Sequence, residues 1–242
     1  MVKWYRRKKS EKEIEDATKV GPYIPPPSRE NEVQTVDVPP EFEPLFSKAE
    51  ETVAKYLDNM DWSPVKGTLI IGGSWYALLS AESLQDIPKS LSQDLDILIE
   101  KANKLFYKLA KNIGKDDARR FIYKMGLTDP VAKLSAEPVH FAFTGNACVS
   151  FLPSNPVPND SFLLRYDHPQ SFEADEYIRK NGPTSKILIC MWNSGYSAGW
   201  CNKAFGIELE AREILCRAMG HKNCRFVMTV ESKLDKHVKK TL

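Results

Sequence analysis

No stretch of 18 apolar residues occurs in these 242, so no segment is long and apolar enough to be expected to cross a membrane as a helix. The basic start is not followed by an apolar core, so a secretory leader is not expected, and its acidic neighbours Glu11 to Asp16 argue against a mitochondrial presequence. GxSxG, HExxH and phosphate-loop patterns are missing, as is a nicotinamide or flavin fingerprint. Those absences remove the common hydrolase, metalloprotease, NTPase and reductase readings, and no enzyme is expected. Histidine is scarce. His140, His168, His221 and His237 show no triad-like spacing. No repeat of 20–50 residues is visible. A net charge of +2 leaves the whole molecule without the excess that polyanion binders carry.

Cysteine, by contrast, is concentrated. Four of the five cysteines fall between Cys190 and Cys224. An odd number with metal-like spacing suits a reducing compartment, and cytoplasmic residence is expected. Ile207, Ala211, Ile214, Leu215 and Ala218 follow helical spacing up to Gly220, which predicts a helix there. On that helix Glu213 and Cys216 share a face. The loop His221-Lys222-Asn223 then returns the chain to Cys224, which opens a strand. With Cys190, the set offers three thiolates and a carboxylate to a tetrahedral ion and leaves no place for water, as in a structural zinc site. Two residues compete. Cys201 would lie about 16 Å from Cys190 if both sit on one helix from Lys186 to Asn202, and His221 could stand in for Glu213. Ordinary buried thiols are the plain alternative.

The segment from Ser171 to Phe226 resembles the 4-vinyl reductase domain, in the version found in XylR-, DmpR- and MopR-type aromatic sensors. The resemblance rests on Cys190, the run Gly195-Tyr196-Ser197-Ala198-Gly199-Trp200, Gly206, Glu213-x-x-Cys216 and Cys224. It extends more loosely over residues 65 to 230. It implies that Cys190, Glu213, Cys216 and Cys224 hold a structural zinc, and so selects Glu213 over His221. It also implies a ligand pocket walled by Tyr196 and Trp200. His168 stands where the sensors carry a ligand-contacting Trp, which puts phenol-type specificity in question. Plain core aromatics are the competing reading of Tyr196 and Trp200. The family's architecture resembles the small subunits of the TRAPP tethering complex, and both commonly dimerise, so a homodimer is expected.

Three regions are expected. Residues 1–44 form a basic, proline-rich extended arm, dispensable for folding. Residues 45–230 form an α+β domain, an antiparallel sheet packed against helices with the zinc site. Residues 231–242 form a Lys-rich tail. Within the arm, Met1 to Lys9 suits an acidic surface, a microtubule lattice being one example, while Tyr23, Ile24, Val36 and Phe42 read as anchors on a partner. A helix is predicted over Leu45–Leu57, then a hairpin of Thr68–Ile71 and Trp75–Leu79 about Gly72-Gly73. A long helix Leu91–Ile113 stopped by Gly114 and a second over Asp116–Met125 follow. Strands are predicted at Val139–Phe143, Cys148–Leu152 and Ser161–Tyr166, and a helix from Ser171 to Lys180. The leading expectation is a non-enzymatic, zinc-stabilised assembly module inside a larger cytoplasmic or cytoskeletal complex. The alternative is a sensor of a small hydrophobic or aromatic molecule that signals through a partner.

Overall fold

The computed structural model describes residues 33–241. The basic and acidic stretches and the arm anchors Tyr23 and Ile24 lie outside the described residues. A five-stranded sheet organises the domain, in the order β1-β5-β6-β8-β7. Its strands are β1 (Val36–Asp37), β5 (Ala147–Phe151), β6 (Leu163–Ser171), β7 (Glu210–Leu215) and β8 (Cys224–Thr229). All neighbours are antiparallel except the edge pair β1 and β5. The expected α+β class, an antiparallel sheet against helices, is what forms. Leu164, Tyr166 and His168 alternate along β6 and are buried together, as residues two apart on a strand must share a face. They meet a helical layer of α3 (Ile99–Met125), α4 (Pro130–Phe143) and α6 (Met191–Phe205). A smaller cluster of Ile214, Val227 and Leu234 seats α7 (Glu231–Thr241), so the Lys-rich end is a packed helix.

Around this core lie α1 (Glu43–Asp58), the three-stranded sheet β2 (Met60–Ser63), β3 (Thr68–Ile71) and β4 (Ser74–Trp75), α2 (Ala81–Asp94) and α5 (Phe172–Asn181). Gly72 and Gly73 take φ of 52° and 78°, the positive angles that a tight hairpin turn demands. The second strand stops at Trp75, well short of the predicted Leu79, and β2 supplies a partner on the other side, where the sequence predicts only a break.

Three further expectations are corrected. Val139, Phe141 and Phe143 belong to helix α4, which Asp129 caps by accepting from the Ala132 amide at 2.8 Å. Alternating hydrophobicity misleads there because Leu134 to Phe141 is buried without a break. Residues 91 to 125 are not one helix stopped at Gly114 and then a second. The chain breaks earlier, where Asp96 takes φ 48°, and α3 then runs unbroken through Gly114 for about 40 Å. Gly114 is a crossing point. A Cβ there would sit 2.1 Å from the Tyr196 carbonyl oxygen, and Cβ atoms on Gly195 and Gly199 would sit 2.3 and 1.9 Å from the carbonyl oxygens of Tyr107 and Lys111. Helices α3 and α6 therefore touch backbone to backbone. Finally, the predicted helix over 207–218 is strand β7. A bulge between Glu213 and Leu215 shifts the strand's phase, which keeps Leu215 on the same face as Ile214 and produces the helix-like spacing.

The end of the expected arm is part of this domain. Val33, Val36 and Val38 are buried, β1 pairs with β5, and Glu50 on α1 accepts from the amides of Gln34 and Thr35 at 2.9 and 2.5 Å. Removal up to residue 44 therefore does not leave the core intact. Each buried valine contributes at least about 1.5 kcal/mol. A chain beginning at Leu45 is expected to melt roughly 10 °C or more below one beginning at Val33, at about 2–4 °C per kcal/mol. Equal melting temperatures by circular dichroism would show the segment to be only laid on the surface.

Candidate functional site

The four predicted metal-ligating residues come together. Cys190 directly precedes α6, Glu213 lies in β7, Cys216 follows that strand and Cys224 opens β8. One ligand atom from each lies within 4.8 Å of all the others, and all four residues are buried. The Cys190 and Cys224 sulfurs are 3.6 Å apart, and those of Cys224 and Cys216 4.0 Å. A tetrahedral ion with metal–sulfur bonds of about 2.3 Å would hold its sulfurs about 3.8 Å apart. Glu213 Oε2 accepts from the Cys190 amide at 2.9 Å, while Oε1 is buried with no protein partner. Arg217 N donates to Cys224 Sγ at 3.3 Å.

Burial, and then the charge of Cys216, push the Glu213 carboxyl well up, and burial pushes the Cys190 thiol well up. Four acidic groups this close cannot all ionise unaided, and a bound cation reverses that penalty. The cluster can therefore hold a metal ion, and the orphaned Oε1 is the acceptor such an ion would use. Glu213 and Cys216 reach each other through the end of a bulged strand, not along a helix face. Cys201 is buried outside the cluster, and His221 is exposed.

A second site adjoins the first across one strand pair, with His168 directly opposite Cys224. His168, Tyr196 and Trp200, singled out as ligand contacts, all fall in one connected cluster of aromatic rings. Phe141 links them, with ring centroids 4.9 Å from Tyr196 and 6.2 Å from His168, and Trp200 lies 6.1 Å from Tyr196. The polar atoms of Tyr196 and Trp200 are occupied: the Tyr196 hydroxyl donates to Asp117 at 2.8 Å and the Trp200 indole to the Lys133 carbonyl at 2.8 Å. His168 differs. Neither ring nitrogen has a protein partner, although the residue is 0% exposed.

Sequence reasoning passed over three neighbours. His140 on α4 has an unpartnered Nε2, and Tyr166 on β6 an unpartnered hydroxyl. Glu137 is buried and accepts from Ser197 at 2.6 Å. Burial lowers the His140 and His168 pKa values to about 4 and about 3, so both rings are neutral at neutral pH. Burial raises Glu137 to about 7. His140 was not singled out as a ligand contact because its stretch reads as a strand. The spacing Glu137, His140, Phe141 was the available signal, since on a helix those residues lie within about one turn. The arrangement is a buried, aromatic interior holding neutral donors and acceptors that the protein itself leaves unused.

Residues 170–230 match the family model of the 4-vinyl reductase domain, which bears out the resemblance over the segment that carries the metal-ligating set. Among solved structures, the phenol-responsive sensory domain of the transcription activator PoxR, with phenol, superposes with a TM-score of 0.66 at 19% identity, covering 81% of this chain and 96% of that one. A trafficking protein particle complex subunit 3 from Naegleria fowleri, covalently bound to palmitic acid, aligns at TM-score 0.43 and 15% identity over 62% of this chain and 95% of that one. No curated protein matches the chain. The chain thus shares the fold of the PoxR domain. This finding overturns the leading expectation of a zinc-stabilised assembly or scaffold module, and it favours the small-molecule sensor held as the alternative. The microtubule contact was inferred from residues outside the described ones.

Proposed function

We propose that this chain is a non-catalytic ligand-binding domain that senses a small aromatic or hydrophobic molecule carrying a hydroxyl or similar polar group. The observation that carries the reading is the set of unpartnered polar atoms on His140, Tyr166 and His168, enclosed by aromatic rings. A buried polar atom left unpaired costs about 1–3 kcal/mol, and sites built to hydrogen-bond a ligand carry that cost in its absence. Phenol, the ligand named for the PoxR domain, is the first molecule to test. The metal cluster serves as a structural zinc site through Cys190, Glu213, Cys216 and Cys224, because three thiolates and a carboxylate at these separations complete a tetrahedral sphere. Four buried free thiols suit a reducing, cytoplasmic setting. Occupancy is read out by a partner protein or an attached domain.

Tyr166→Phe and His168→Phe are expected to keep the fold, since the first removes one unpartnered hydroxyl and the second two unpartnered ring nitrogens. Each is expected to weaken phenol binding about tenfold in calorimetric titration, from the loss of roughly one hydrogen bond. Unchanged affinity in both variants, or binding by the parent protein of neither phenol nor a 4-alkylphenol at millimolar concentration, sinks the proposal.

A further inference from the structure

A pocket of about 450 Å³ opens on the surface where the segment after β1 meets α4 and β6, lined by Val38, Phe42, Phe46, Val131, Leu134 and Leu164 among others. That size is ordinary for a small-molecule site. Its wall is mostly apolar, with Glu41 and Ser154 its polar residues. None of the residues singled out for ligand or metal binding lines it.

Two of its residues continue inward. Leu164 is followed on the same face of β6 by Tyr166 and then His168, each step about 6.7 Å along the strand. Leu134 is followed on the same face of α4 by Glu137 and then Phe141, at helical offsets of three and seven. The two tracks run side by side from the pocket to the unpartnered polar atoms. Leu134 and Leu164 belong both to the pocket wall and to the buried core. A flat phenol-sized molecule held at Tyr166 and His168 would leave this apolar volume unused.

We infer that the pocket is the outer half of the same ligand site, and that the natural ligand is amphipathic: a polar head at Tyr166 and His168 and an apolar tail past Leu164 and Leu134 into the pocket. This rests on the proposed sensing function and narrows its ligand class. Val38 and Phe42 then make the segment around β1 a wall of the site.

The test compares phenol with 4-pentylphenol by calorimetric titration of the full chain. Each buried methylene can add up to roughly fourfold in affinity, so 4-pentylphenol is expected to bind at least about tenfold tighter. Val131→Trp, which fills the pocket from its α4 side, is expected to bring the ratio of the two affinities close to unity. Pro156→Trp fills it from the opposite loop and serves as the second variant should the first fail to fold. Phenol binding with no gain for 4-pentylphenol, or a ratio that survives both substitutions, overturns the tail site and leaves the sensing function standing. Binding of neither compound overturns both.

Discussion

Gly199→Ala is expected to melt about 10 °C or more below the parent protein, and Gly199→Val to yield no folded protein. The added Cβ would lie 1.9 Å from the Lys111 carbonyl oxygen and 2.7 Å from its carbon. A side chain in that position could rotate away, but a helix backbone cannot. The whole of α3 would have to move off α6, and Gly195 and Gly114 hold the same crossing to comparable closeness. Overpacking commonly costs about 1–3 kcal/mol where neighbours can adjust, and here the cost sits at or above that range. At about 2–4 °C per kcal/mol for a domain of this size, the predicted shift follows. Gly67 is the control. Its φ is 65° and nothing lies within 4 Å of its Cβ position, so Gly67→Ala bears only the backbone strain of about 1–2 kcal/mol. A Gly199→Ala protein that melts no lower than Gly67→Ala would mean that the two helices separate easily.

Cys216→Ser is expected to abolish stoichiometric metal binding and to lower the melting temperature by more than truncation of an ordinary core side chain does. Structural zinc in finger peptides contributes about 10–16 kcal/mol. This domain has a large core besides, so the variant should retain some structure while losing the junction of β7, β8 and α6. The remaining Cys190, Glu213 and Cys224 would stay crowded and buried without the cation that reconciles them. Cys201→Ser, outside the cluster, should keep its metal. Elemental analysis of never-chelated protein decides the matter. A parent reading of zero metal sinks the assignment, and metal loss in the Cys201 variant would mean a different set of thiols.

The elements that read correctly from sequence are those with one wet face. Helix α1, strand β5 and the start of β6 announce themselves because their polar positions are periodic, but β6 runs on past the expected Tyr166 to Ser171, where Tyr166, Asp167 and His168 are buried in succession and the period is lost. Helix α4 does not, because its second half is enclosed and burial erases the period. Gly114 looks like a stop signal since a terminating glycine and a close-contact glycine are the same letter. Its partner's backbone, far along the chain, is what tells them apart (Gly195 and Gly199 are the visible half of that pairing). The four candidate metal ligands do come together, but not by the local geometry expected of them. Thiol and carboxylate chemistry is carried by residue type, whereas the bulge that brings Glu213 beside Cys216 arises only in pairing with β8. That His140, Tyr166 and His168 carry unpartnered atoms could not be read from sequence, because being unpaired is a property of the surroundings.

The His168–Cys224 pairing has a thermodynamic consequence. In the proposed reading a ligand-binding residue and a metal ligand face each other across one rung of the β6–β8 ladder, so a ligand that fixes His168 would also bear on the geometry of the thiolate opposite. Linkage is reciprocal: by whatever factor ligand changes the affinity for metal, metal changes the affinity for ligand. The rate at which a chelator strips the ion then becomes a clock, and its speed reports how much of the sensor is occupied without any label on the ligand.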